Sequence, residues 1–171
     1  MKTIKFYVTA IIITLVFLAS CGYHFEGGGY LNDDVSSVAV LFFKNNSSET
    51  GAGITFTNAL VEEISSKSDT VVVEESAANV VIEAQIKSIN FAILSRSTTE
   101  SVIERRVTSV VDVKMKDKQG EVLWYVKDFS TSEDYTVSDD AITDETNKRE
   151  AIDEVAQRCA EQLVSKMLTN F

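Results

Sequence analysis

The sequence predicts an α+β protein built as a two-layer sandwich, with two helices packed on one face of a mostly antiparallel or mixed sheet of four to five strands. Two segments, residues 54–67 and 144–168, repeat apolar residues at helical spacing. Between them, residues 79–95 and 102–117 alternate apolar and polar residues as strands do. Two helices cover only one face of such a sheet, so we expect the other face to meet water, a ligand or another protein.

The first twenty residues have the features of a bacterial lipoprotein signal peptide. Lys2 and Lys5 form a positive start, and residues 6–18 form an apolar run that is short for a membrane span. The following letters LASC match the lipobox, in which the cysteine thiol receives diacylglycerol before cleavage. We therefore predict a signal peptide at residues 1–20 and lipid attachment at Cys21. The alternative is a membrane-anchored protein in which this cysteine is incidental.

Lipidation would hold the mature chain on a membrane, because each buried methylene of an acyl chain contributes ~0.8 kcal/mol. Gly22 stands where many enterobacterial lipoproteins retained in the inner membrane have aspartate. This favours the outer membrane, with the protein facing the periplasm. The glycine-rich stretch predicts a lipidated N-terminus and flexible tether at residues 21–34. Residues 35–171 are then expected to form a single domain.

The predicted domain begins with a strand, a helix and a second strand. Residues 37–43 are an apolar run that fits a buried strand, and residues 44–48 end it as a polar loop. Residues 54–67 follow as the first helix, and residues 70–73 as a short strand. The apolar face of this helix is predicted to contain Phe56, Leu60 and Ile64.

The central strands carry a change of phase. In residues 79–95 the apolar set shifts by one position after Lys87, which predicts a β-bulge or a strong twist. Residues 102–117 alternate regularly and lead through a glycine-containing turn to a return strand at residues 122–126. Residues 129–137 either extend or follow that strand. In the second long strand the predicted core positions are Ile103, Val107, Val111, Val113 and Met115.

The last helix has the strongest pattern, and we expect it to span about residues 144–168. Asp144 and Glu145 near its start complement the positive end of the helix dipole. Its stripe includes Cys159, which is expected to act as a small buried hydrophobe rather than a reactive thiol. The predicted buried stripe is Ile152, Val155, Ala156, Cys159, Ala160, Leu163, Val164 and Met167.

The sequence lacks the residues that most enzymes and nucleic-acid binders need. A formal net charge of −10 argues against nucleic acid as a partner. His24 is the only histidine and lies three residues from the predicted lipid site, so a catalytic role is disfavoured. Cys21 and Cys159 lack metal-ligand spacing, and a disulfide between them stays an open alternative. We predict a protein that is not an enzyme and has no cofactor or metal, apart from the lipid on Cys21.

Basic residues of this acidic chain concentrate in the central strands and their loops. Arg and Lys bind phosphates through charge-assisted hydrogen bonds, so the cluster is a candidate anion site. The alternative is that these residues balance acids on neighbouring strands, such as Glu104 and Asp112. Both interpretations can hold for different members. The candidates for anionic sugar-phosphate contacts are Arg96, Arg106, Lys114 and Lys116.

Several segments, in the right order, resemble the lipopolysaccharide-assembly lipoprotein family, LptE. The family often carries prolines before its first strand, and this chain has none. The segments are CGYHF at residues 21–25, SVAV at 37–40, FKN at 43–45, FTNALVEE at 56–63, ERRV at 104–107, GEVLW at 120–124, SEDY at 132–135 and NKREAI at 147–152.

The resemblance implies a partner and a role that the residue patterns alone do not reach. Such lipoproteins sit inside or against the outer-membrane barrel LptD, support its assembly, plug its lumen and bind lipopolysaccharide on its way to the outer leaflet. Only Cys21 carries over as a matched functional residue, the lipid attachment point. The alternative function is a lipoprotein activator of a cell-wall synthase, for which the stretch at residues 26–34 is a short tether.

Overall fold

A computed structural model describes residues 28–31, 35–96 and 102–169, which contain six strands and two helices. The predicted signal peptide at residues 1–20, Cys21 and His24 lie outside the described residues. The elements are β1 Ser37–Val40, β2 Lys44–Asn45, α1 Ala52–Lys67, β3 Val71–Val72, β4 Val80–Arg96, β5 Val102–Asp117, β6 Val122–Thr136 and α2 Ala141–Thr169.

The sheet is mixed and open. Its strand order is β3-β1-β4-β5-β6, and β2 pairs with β4 beyond the end of β1. The short strands β1, β2 and β3 run parallel to their neighbours, whereas β4, β5 and β6 form antiparallel pairs. Both helices pack against this sheet and against each other around one core. The predicted α+β sandwich is therefore confirmed.

The strand count and one strand boundary differ from the prediction. Lys44 and Asn45, predicted as loop, pair with Gln85 and Ile86 and make a sixth strand. The predicted strand at residues 37–43 ends at Val40. The chain leaves the β1 path there because the Phe43 amide donates to the hydroxyl of Thr57 on α1, 3.0 Å away, instead of to a strand.

Apolar periodicity located both helices, and all three predicted core residues of α1 are buried. Every residue of the predicted α2 stripe is also buried. Helix α2 begins at Ala141, earlier than expected, because Asp140 caps it. The Asp140 carboxylate accepts from the Thr143 amide at 2.9 Å, and the hydrogen bonds from Thr143 lower the pKa of that carboxyl.

Each neighbour of β5 contains a bulge near the middle of that strand, one in β4 and one in β6. Ile86 pairs with Val111 and Ser88 with Val110, so Lys87 is the extra residue in β4 and the predicted bulge is confirmed. A second irregularity lies in β6, where Asp128 has a left-handed φ of 51°. Residues on both sides of it belong to one strand, so residues 129–137 extend the return strand as far as Thr136.

One predicted core position is wrong. Ile103 is 43% exposed, although the other four core positions predicted in β5 are buried. Ile93 and Leu94, near the same end of the β4–β5 pair, are exposed as well. The buried core therefore stops short of this end of the two strands, and an inward-facing strand position there stays exposed.

Residues 28–31, which the sequence assigned to the tether, pack on the domain. Leu31 is fully buried in the core, and its amide donates to the Thr70 hydroxyl at 3.0 Å. The Gly29 carbonyl accepts from the Asp69 amide at 2.9 Å. A single leucine between Tyr30 and Asn32, in a segment that starts with three glycines, gives no periodicity, and the sequence pattern therefore did not predict its burial. The packed core therefore begins before residue 35.

Candidate functional site

The face of β4, β5 and β6 that points away from the helices is the candidate functional site, and we call it the open face. Alternation along each strand places its residues there, because their neighbours in the chain are buried under the helices. In the described residues, neither helix has a stretch long and apolar enough to cross a bilayer. The main charged residues of the open face are Glu83, Lys87, Arg106, Asp112, Lys114, Lys116, Lys127, Asp128 and Asp134.

Arg106 forms a two-pronged ion pair with Asp134, its partner across β5 and β6. Its Nε lies 2.6 Å from Oδ1 and its Nη2 lies 2.8 Å from Oδ2. The hydrogen bonds from Arg106 lower the pKa of the Asp134 carboxyl. The balancing role considered for this arginine is therefore present, with Asp134 rather than Glu104 as the hydrogen-bonded partner.

Lys114 and Lys116 share one carboxylate. The Nζ atom of Lys114 lies 2.8 Å from Oε2 of Glu83, and that of Lys116 lies 2.8 Å from Oε1. The hydrogen bonds from Lys114 and then Lys116 lower the pKa of Glu83, so it stays ionised at neutral pH. Two ammonium groups against one carboxylate leave a positive charge on this part of the open face.

A third set of ion pairs links the bulge of β4 at Lys87 to the bulge of β6 at Asp128. Lys87 Nζ contacts Asp128 and lies 3.9 Å from Oδ2 of Asp112. The amide of Asp128 donates to Oδ1 of Asp112 at 2.8 Å. Lys87 and Asp128 were not predicted as members of the open face, because a bulge takes its residues out of the simple alternation of a strand.

The predicted anion-binding residues fall in two places rather than one. Arg106 and Lys114 are eight positions apart on β5, roughly 27 Å at the usual rise of a strand. Arg96 is the last residue of β4 and lies toward the Arg106 end, whereas Lys116 lies beside Lys114. The two lysines are thus the pair that the fold brings together.

A groove of about 650 Å³ crosses the open face beside the two lysines. One wall contains Phe42 and Lys44, and the other contains Tyr125 and Lys127. The aromatic side chains are 69% and 63% exposed. Sequence reasoning missed this groove because residue 42 was placed in a buried strand. The floor is formed by Glu83, Ala84, Gln85, Asp112, Val113 and Lys114.

Cys159, the cysteine that lies within the described residues, is in an unreactive environment. Cys159 is 1% exposed, and burial raises the pKa of its thiol to about 12. The thiolate that nucleophilic chemistry and metal binding require is therefore disfavoured. No group of three His, Cys, Asp or Glu side chains within the described ranges is arranged to hold a metal ion.

We expect iodoacetamide to leave Cys159 unmodified in the folded protein at pH 8 and to modify it rapidly in denaturant. The reason is that burial both blocks access and keeps the thiol protonated. Mass spectrometry of the Cys159 peptide measures the modified fraction. A free-cysteine peptide added to the same tube controls for reagent activity. Rapid modification of folded protein would contradict the buried position.

A family model described as lipopolysaccharide-assembly, LptE, matches residues 35–167. The chain belongs to the LptE family. Membership confirms the resemblance carried by the ordered segments of the sequence. LptE proteins are a family of lipoproteins that serve lipopolysaccharide assembly.

Several solved structures share this fold at low sequence identity. Uncharacterized lipoprotein B from Nitrosomonas europaea superposes with a TM-score of 0.57 at 17% identity, over 86% of this chain and 90% of that one. Rare lipoprotein B from Shewanella oneidensis gives 0.52 at 16% identity, over 77% and 92%. A dodecameric PelC variant from Paraburkholderia phytofirmans gives 0.50 at 16% identity, over 80% and 89%. These likenesses show the fold alone. No curated protein sequence matches the chain.

Proposed function

We propose that this protein is anchored through Cys21 to the periplasmic face of the outer membrane, where it supports assembly of an LptD-type barrel and plugs its lumen. In this role it helps to insert lipopolysaccharide into the outer leaflet and binds lipopolysaccharide directly. The covalent lipid on Cys21 is its only prosthetic group. Membership of the lipopolysaccharide-assembly family supports the general role.

The open face is the observation that carries the proposal. It is a wide sheet surface without a helix over it, and most of its charges are paired across strands. The lumen of a large outer-membrane barrel is polar and wet. A plug placed there presents polar and charged side chains to water, as the open face does, with Arg106 paired to Asp134 and Lys114 paired to Glu83.

Depletion of the protein in living cells tests the role. We expect less surface lipopolysaccharide and accumulation of immature barrel, and we expect the barrel to co-purify with the tagged protein. The Cys21→Ala variant should appear in the soluble periplasmic fraction, because it lacks acyl chains. Normal lipopolysaccharide export and normal barrel maturation after depletion would overturn the proposal and favour the cell-wall synthase activator.

Direct binding of lipopolysaccharide has its own prediction. Changing Arg106, Lys114 and Lys116 to glutamine should weaken binding of the purified domain to lipopolysaccharide by about tenfold, because Glu83 and Asp134 then face the phosphates unpaired. Adding Arg96→Gln tests the fourth candidate. Fluorescence polarisation with labelled lipopolysaccharide measures the affinity.

Two further variants make this test selective. Lys67→Gln with Lys166→Gln lowers the positive charge on the helical layer, which makes it the control for nonspecific charge effects. Asp134→Asn releases Arg106 from its ion pair, so it should strengthen binding if that arginine contacts a phosphate. Affinity unchanged in every variant would leave these residues with only a structural role.

A further inference from the structure

The walls and floor of the groove line up in two rows across the sheet. In the first row, Gln85 of β4 pairs with Lys44 of β2 on one side and with Asp112 of β5 on the other. Lys127, in the bulge of β6, lies opposite Asp112. In the other row, Glu83 pairs with Lys114, which pairs with Tyr125. Three strand spacings separate β2 from β6, which is about 14 Å. Each wall of the groove therefore carries one aromatic side chain and one lysine: Phe42 and Lys44 on one wall, Tyr125 and Lys127 on the other.

The groove is positive in a chain that is strongly negative. Among the ion pairs of residues 35–96 and 102–169, none includes Lys44 or Lys127. The other cations nearby are engaged by Glu83, Asp112 and Asp128. Five lysines thus meet three carboxylates, whereas the whole chain has a net charge of −10. The lysines are Lys44, Lys87, Lys114, Lys116 and Lys127.

The shape of the groove favours a peptide over an acyl chain. Pockets for small apolar ligands cover most of the ligand surface. Here only the two aromatic side chains, Phe42 and Tyr125, offer large apolar surfaces, and the floor between them carries charged and amide groups, so an acyl chain would lie largely on polar atoms. An extended peptide tolerates this, because its backbone is polar and only one or two side chains need apolar contact.

We propose that this groove is a docking site for an extended acidic segment of a partner protein. An apolar side chain of the segment packs between Phe42 and Tyr125, and its carboxylates pair with Lys44 and Lys127. Successive side chains of an extended peptide point to opposite sides, so neighbouring positions reach opposite walls. The segment contacts the face of the sheet through side chains, since the backbone groups of β4 and β5 are already paired.

The inference goes beyond the proposed function and is tested without lipopolysaccharide or a barrel. The probe is a fluorescent ten-residue peptide of alternating Glu and Asp around one central Trp, titrated into the full mature protein. We expect saturable binding that weakens as salt is added. Amide shifts in NMR spectra should map to the walls and floor of the groove. Replacing the central Trp of the peptide by Ser should weaken binding about tenfold.

Charge reversal supplies the decisive comparison. Lys44→Glu with Lys127→Glu should lower affinity for the peptide by at least about tenfold, because two attractive contacts become repulsive. Lys67→Glu with Lys166→Glu makes the same change of net charge on the helical layer and should leave affinity nearly unchanged. Both variants should melt within a few degrees of the wild type, since all four lysines are outside the core.

Cross-linking identifies the occupant in cells. A photoreactive residue at position 42 of the full-length protein should yield adducts with one partner segment that has acidic residues around an apolar one, and the Lys44→Glu, Lys127→Glu variant should lose them. The inference is overturned if the adducts are lipids, if they come from a second copy of this chain, or if they persist after charge reversal. Equal loss of peptide binding in both double variants would overturn it too.

Discussion

Replacing Phe56 by alanine should lower the free energy of unfolding by about 3–5 kcal/mol. Phe56 is 2% exposed on the inner side of α1, and its ring lies 6.0 Å from that of Phe43. The substitution removes apolar contact on both sides and leaves a cavity between the helix and the start of the sheet. Domains of this size are stable by about 5–15 kcal/mol, so the loss is a large share of the total.

Urea unfolding followed by circular dichroism measures the effect, with the slope of the transition reported for both proteins. Ile54→Ala is the matched control, because Ile54 is on the same helix and is 56% exposed. It should cost well under about 1 kcal/mol. Similar losses for the two variants would mean that the burial pattern of α1 differs from the one described.

The second large effect is expected at the start of the described chain. Leu31→Ala should destabilise the domain by about 2–5 kcal/mol, since Leu31 is fully buried and belongs to the same core as the helices. The neighbouring hydrogen bond from its amide to Thr70 should survive, because it uses the backbone. Thermal unfolding of the mature protein measures the change.

Tyr30→Ala is the control for Leu31→Ala, because Tyr30 is the preceding residue and its side chain is 47% exposed. A domain that begins at residue 35 should lose at least as much stability as Leu31→Ala, because it lacks the whole segment. If both Leu31→Ala and the shortened domain unfold like the wild type, residues 28–31 contribute nothing to the core and belong to the tether.

The fold was largely predictable because its long elements repeat one pattern many times. The α2 stripe repeats over four turns, and the phase change at Lys87 is visible because apolar residues stand on both sides of it. Short elements lack such repetition. The pairing of Lys44 with β4 and the burial of Leu31 depend on contacts with distant residues. A two-residue polar strand and a single leucine between Tyr30 and Asn32 carry no local signal of those contacts.

The candidate site was predictable only in part. The sequence identified Arg106 and Lys114 as outward-facing cations of β5, and the structure places them on the open face. Their partners, Asp134 and Glu83, depend on which residues face each other across strands. The bulge at Asp128 resets that register within β6, and no pattern in the local sequence revealed it. The groove was missed because residue 42 was assigned to a buried strand, whereas Phe42 is exposed beyond the end of β1.

The bulge of β6 has a consequence for solubility. In the described chain β6 ends the sheet, so its outer backbone groups are a template on which another strand could add. The left-handed Asp128 and the charged residues around it break that template into two shorter pieces. Copies at high local concentration would therefore resist pairing edge to edge into fibrils, although each copy keeps β6 as a long strand of its own sheet.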